Sequence, residues 1–144
     1  MGLPYGLALL VEALENESQA EEALTVLGEA RALAAKNGDL MYHAEINRLR
    51  GELLLNLSPE ENRVEAESCF RSAIEIARPQ QAKSWELRAV TSLSRLLQKQ
   101  GKNDEARRML GEIYGWFTEG FDTADLRDAK TLLEGLAERM EHAP

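Results

Sequence analysis

Histidines, cysteines and paired carboxylates carry most protein chemistry, so their spacing is read first. His43 and His142 stand far apart, and neither has a cysteine or a second histidine close by. A zinc site usually groups its ligands at short spacings, so both read as solvated or interfacial residues and no metal is expected. Cys69 is the single cysteine and precedes Phe70 in an apolar-periodic stretch. A reactive cysteine needs an environment that favours the thiolate, and no activating base is evident. It reads as a small buried thiol in a protein of a reducing compartment, with no internal disulfide. The 25 acidic residues lie on helical stretches, where carboxylates form solvated faces and i,i+4 pairs. A glycosidase-type acid pair is not singled out. No phosphate loop of the GxxxxGK[ST] kind and no cyclase-type metal-binding pair occurs. No catalytic residue and no cofactor is expected.

Arginines offer the remaining chemistry. Arg88 and Arg95 are seven residues apart, which puts them on one helical face. Net charge is −8, which argues against a nucleic-acid surface or an anionic-membrane surface. The charge is uneven: residues 80–120 hold 7 basic and 5 acidic side chains and form the one net-positive quarter of the chain. Two readings of this arginine face stay open. It is a groove for an acidic peptide segment or a small anion, with the guanidinium groups as bidentate donors. Or Arg88 and Arg95 pair laterally with Glu45 and Glu52 from an earlier segment, exposed pairs worth only about 0–1 kcal/mol each.

These side chains need a scaffold, and the scaffold is helical. Proline is rare, at 4 in 144 residues, and Leu, Ala, Glu and Arg dominate over β-branched types. Apolar residues recur with helical period in seven stretches. The first runs over 3–15 (Leu3, Leu7, Leu10, Val11, Leu14). The second, opened by a capping box of Ser18 and Glu21, carries Ala23, Val26, Leu27, Ala30 and Leu33 and stops at Asn37-Gly38. The third, 39–56, turns Ile46, Leu49, Leu53 and Leu54 inward and keeps Gly51 where another helix passes too close for a Cβ. The fourth, 63–78, uses Ala66, Phe70, Ala73, Ile74 and Ala77 and is ended by Pro79. The fifth, 82–100, uses Leu87, Val90, Leu93, Leu96 and Leu97. The sixth, 103–119, uses Ala106, Met109, Leu110, Ile113, Trp116 and Phe117, and the seventh, 123–140, Leu126, Ala129, Leu133, Leu136 and Met140.

The even-numbered stretches align. Ala23-x3-Leu27-x2-Ala30, Ala66-x3-Phe70-x2-Ala73 and Ala106-x3-Leu110-x2-Ile113 repeat at offsets of 43 and 40 residues. This is the second-helix pattern of a tetratricopeptide repeat, drawn out beyond the usual ~34 residues. The expected fold is all-α: an α-solenoid of three tetratricopeptide-like hairpins (3–38, 39–79, 82–119) plus a capping helix over 122–141, forming a single domain across 1–144. In such a repeat the first helix of each pair lines the concave face. That projection places Tyr5, Glu12, Glu15, Glu45, Arg48, Glu52, Leu55, Arg88, Thr91, Arg95 and Gln98 there. The aromatic run is read two ways. Asp122 is a predicted N-cap, Phe121 and Leu126 then staple the helix start, and Trp116 and Phe117 close the core as a terminal cap. Alternatively, Trp116 is an exposed partner anchor.

Two stretches carry a family resemblance: AEINRLRGELLL (44–55) and AKSWELRAVTSLSRLLQKQGKNDEAR through YGWFTEGFDTADL (82–126). They resemble the C-terminal tetratricopeptide region of large bacterial signalling proteins that carry an ATPase domain, and often an adenylate/guanylate cyclase or DNA-binding domain, at the other end. The resemblance implies a C-terminal piece of a longer protein with its enzymatic parts upstream. It implies a non-catalytic scaffold whose partner is a protein or peptide, or the upstream domains of the same chain; an effector-sensing module for a small molecule or anion is the alternative. No apolar run reaches the ~20 residues of a membrane span, and the leader lacks a basic n-region, so a cytoplasmic protein is expected. Helix 3–15, with Leu9 beside Leu7 and Leu10, is expected to self-associate or to make the chain poorly soluble when no preceding repeat covers it.

Overall fold

The computed structural model describes residues 17–38 and 40–141. The predicted helix over 3–15, with Tyr5, Glu12, Glu15 and the proposed association surface at Leu9, lies outside the described residues, as does His142. Among the described residues six α-helices follow one another: α1 (Glu17–Asn37), α2 (Leu40–Leu57), α3 (Pro59–Ala77), α4 (Lys83–Lys99), α5 (Asn103–Tyr114) and α6 (Ala124–Glu141). A 3₁₀ turn (Arg78–Gln80) extends α3, and no strand occurs among the described residues.

The helix ends are set by local chemistry. Pro59 opens α3 at its first turn, where a missing N–H costs nothing, so that helix begins four residues earlier than the apolar periodicity alone predicts. α4 ends in a Schellman motif. Gly101 takes the left-handed φ of +78° while the Lys102 N–H donates to Leu97 O at 2.9 Å and the Gly101 N–H to Gln98 O at 3.0 Å. The same pair of bonds closes the 3₁₀ turn, from Ala82 N–H to Ala77 O at 3.2 Å and from Gln81 N–H to Arg78 O at 3.0 Å. There the left-handed residue is Gln81, with φ +56°. The stop is therefore at Gln81, and Pro79 sits inside the turn.

Three further boundaries depart from expectation. α5 ends at Tyr114 instead of running on to 119, with Gly115 at its C-cap, a residue that weakens helix by ~1 kcal/mol relative to alanine. α1 already includes Ser18, expected at the N-cap; neither glycine nor proline stands at 17–19 to stop a helix. At the start of α6 the cap is Thr123 and not Asp122. The Thr123 Oγ1 accepts from the Leu126 N–H at 3.5 Å, and the Thr123 carbonyl accepts from the Arg127 N–H at 3.0 Å.

Each helix packs on the next in sequence, and α2 also touches α4, which in turn touches α6. α2, α4 and α6 thus lie side by side, with α3 behind the first pair and α5 behind the second. The main core joins Phe70, Ala73, Leu87, Val90, Leu93, Leu97, Ala106, Leu110, Ala129 and Leu136; a second cluster joins Ala20, Ala23, Leu27 and Ala34 of α1 to Ile46, Leu49 and Leu53 of α2. Gly51 lies where an alanine Cβ would stand 2.6 Å from Phe70 Cε1, the close approach the sequence anticipates. Ser94, fully buried, donates from Oγ to the Ala106 carbonyl at 3.4 Å where α4 crosses α5. On α1, two expected core positions are not core: Val26 and Leu33 are exposed. They stand about 100° or more round α1 from Leu27, away from the side that meets α2.

Candidate functional site: an arginine-lined groove

The groove lies across α2, α4 and α6, and beneath it sits a buried carboxylate. Glu45, on the second turn of α2, is 5% exposed. A lone ion there would be costly, and two guanidinium groups answer it. Arg48, one turn along α2, donates from Nε to both Glu45 oxygens at 3.1 Å each. Arg88 of α4 brings Nη1 to 3.7 Å from Glu45 Oε1 and donates from Nε to Asp125 Oδ2 of α6 at 2.9 Å. Arg88 is thereby a clasp across three helices. Its guanidinium also stacks 5.3 Å from the Trp85 ring, one turn back, and Trp85 meets Tyr42 of α2 edge-on at 6.4 Å. Arg48 reaches α4 as well, from Nη1 to Ser92 Oγ at 3.4 Å. Burial of Arg48 alone disfavours its charged form. The hydrogen bond and charge of Glu45, with Glu52 and Asp125 beyond, outweigh that and raise its pKa.

Above this network opens a groove of about 230 Å³ lined by Arg48, Arg88, Thr91, Ser92, Arg95, Asp125 and Asp128. Thr91 is buried and donates its hydroxyl to the Leu87 carbonyl at 2.7 Å, so its side chain is spent within α4. Arg95 is exposed, and its side chain has no hydrogen bond or ion pair among the described residues. The lateral ladder therefore has one rung: Glu45 meets Arg88, and Glu52 does not meet Arg95. Glu52 is half-buried outside the groove lining, as is Gln98, and Leu55 packs partly buried against the core. Ser92, Asp125 and Asp128 belong to the groove and escaped the sequence reading. Asp125 and Asp128 do share a helical face, but only the docking of α6 beside α4 turns that face toward the arginines.

The residues assigned to a structural cap are distributed differently. Leu126 is buried and Phe117 half-buried, but Trp116 is 58% exposed and Phe121 44%. Trp116 meets Phe117 edge-on at 5.2 Å, and Lys83 stands 5.8 Å from the Trp116 ring. Phe121 tilts against Tyr114 at 5.7 Å. Trp116 therefore covers little core, and Asp122 is exposed.

Elsewhere the reactive side chains are quiet. Cys69 is buried. Burial raises its thiol pKa, against the charge of Arg50, whose Nη1 lies 3.3 Å from Sγ. A thiol held protonated is a poor nucleophile. His43 is pushed down, first by burial and then by the charge of Arg31. No group of three His, Cys, Asp or Glu side chains that could hold a metal occurs among the described residues, and no described helix is long and apolar enough to cross a membrane. No family model, characterised protein or solved structure matches the chain.

Proposed function

We propose that the chain is a non-catalytic, tetratricopeptide-like interaction scaffold whose groove across α2, α4 and α6 binds a segment of a protein partner. That partner is a separate protein or an upstream domain of the same polypeptide in a bacterial signalling system. The architecture is read as an α-solenoid because α2, α4 and α6 align side by side while α3 and α5 back them, and because a small residue marks the crossings at Gly51 and Ser94. The observation that carries the binding reading is Arg95, a guanidinium in a concave site with no partner among the described residues.

Size and lining favour a partner's side chains over a free small molecule. Small-molecule sites are mostly apolar, occupy about 300–1,000 Å³ and bury most of the ligand. This groove is about 230 Å³ and its lining residues are all polar or charged. That suits one or two side chains of an extended segment. The chain immobilised against a lysate tests this, with captured proteins compared for the wild type, Arg95→Glu and a control, Glu75→Arg on α3. A partner kept by the control and lost by Arg95→Glu is expected. Equal capture by all three, or no partner at all, defeats the reading. A metabolite that raises Tm in the wild type and not in Arg95→Glu would favour the effector-sensing alternative.

A further inference from the structure

Once the groove's internal pairs are assigned, two charged side chains are left over, and they differ in sign. Arg95 on α4 and Asp128 on α6 both line it. Both are exposed, and neither has a hydrogen bond or ion pair among the described residues. They do not pair with each other either, so no nitrogen of Arg95 comes within 4.0 Å of an Asp128 oxygen. Arg88 is held by Glu45 and Asp125, and Arg48 by Glu45. The groove therefore presents an unspent cation on one wall and an unspent anion on the other.

From this we infer that the groove selects a ligand carrying both signs: a partner segment with an acidic and a basic residue close together, the carboxylate to Arg95 and the ammonium or guanidinium to Asp128. The inference rests on the reading of the groove as a partner-binding site and names the chemistry of its occupant. A purely acidic segment meets Arg95 but also faces Asp125 and Asp128. A purely basic one meets Asp128 under three arginines. Only a bipolar occupant leaves both walls compensated. Ser92 adds a directional preference: its Oγ accepts from Arg48, which leaves the hydroxyl hydrogen to donate to a carboxylate on the Arg95 side.

The probes are ω-amino carboxylates of increasing length, glycine to 6-aminohexanoate, set against butyrate and butylammonium. Binding is followed through the backbone amide resonances of the labelled protein at low ionic strength. The second exposed ionic contact should make the best-fitting amino carboxylate bind roughly twofold to fivefold tighter than either single ion. Shifts should fall at residues 91–95 and 125–128, with affinity passing through an optimum as the chain lengthens. Arg95→Gln and Asp128→Asn should each reduce binding to the single-ion level. Equal binding of butyrate and the amino carboxylates overturns the inference, as does binding unaffected by Asp128→Asn. In the capture experiment, a partner lost by Arg95→Glu but kept by Asp128→Asn removes the bipolar inference and leaves the groove reading standing. A partner kept by both removes the groove reading itself.

Discussion

Replacing Gly51 by alanine sets helix propensity against packing at one atom. Inside a helix alanine is favoured over glycine by ~0.8–1 kcal/mol, so propensity alone predicts a more stable protein. The Cβ, however, would lie 2.6 Å from Phe70 Cε1, 2.9 Å from Cδ1 and 3.0 Å from Cζ. Carbon pairs rest at about 3.5–4.0 Å, so the ring must retreat by about 1 Å. Phe70 is fully buried and has little room to do so. Overpacking of this kind costs about 1–3 kcal/mol, which outweighs the propensity gain and leaves a net loss of about 1 kcal/mol. Urea unfolding followed by helical circular dichroism reads this directly, and the corresponding fall in Tm is about 3–4 °C for a chain of this size. Gly28→Ala is the internal control, since nothing lies within 4 Å of its Cβ position and it is exposed; it should stabilise by up to ~1 kcal/mol. In a Phe70→Leu background the penalty at Gly51 should vanish, a coupling a double-mutant cycle isolates. A Gly51→Ala protein stabilised as much as Gly28→Ala would refute the packing argument.

Four other outcomes follow from the same physics. Gln81 holds a left-handed φ of +56°, a conformation that costs a side-chain-bearing residue roughly 1–2 kcal/mol; Gln81→Gly should raise the urea midpoint, and a lower one would be evidence against strain there. Glu45→Gln leaves Arg48 and Arg88 without their shared carboxylate and should cost about 1–3 kcal/mol, whereas Glu65→Gln, at the exposed pair with Arg50, should cost less than about 1 kcal/mol; equal losses would show that the burial of Glu45 is irrelevant. Burial lifts the folded-state pKa of Cys69 above its ordinary value of 9.0, so its contribution is complete below that pH and is lost as pH rises through the folded value. Stability of the wild type should therefore fall above pH 9 more steeply than that of Cys69→Ala, and alkylation of the native thiol should be slow. In Trp85→Phe, fluorescence reports Trp116 alone; it should be red-shifted and readily quenched by iodide, while a blue, protected emission would mean that Trp116 is covered.

How much was legible in the sequence depended on the range of the interaction. The apolar periodicity located the core faces of α2 to α5, from Leu49 and Leu53 through Phe70 and Ile74 to Leu93 and Leu110, because one helical turn brings those residues to a common side whatever lies opposite. Gly51 announced a close crossing for the same local reason. Periodicity failed at Val26 and Leu33: an apolar stripe reports what a helix can bury, and the neighbours it acquires decide how much of the stripe is covered. The aromatic run from Tyr114 to Phe121 is unmistakable as sequence, yet the helix ends at Gly115 and Trp116 stays on the surface.

The arginine face shows the division most clearly. A spacing of seven fixes Arg88 and Arg95 on one side of α4 whatever the helix packs against. Spacing could not determine that Arg88 is spent on Glu45 and Asp125 while Arg95 has no partner among the described residues. Ion pairs between helices depend on shifts of a few ångströms along and across their axes. Those shifts are set by how Leu, Ala and Phe side chains interlock in the core, a property of the packed helices that no local spacing records.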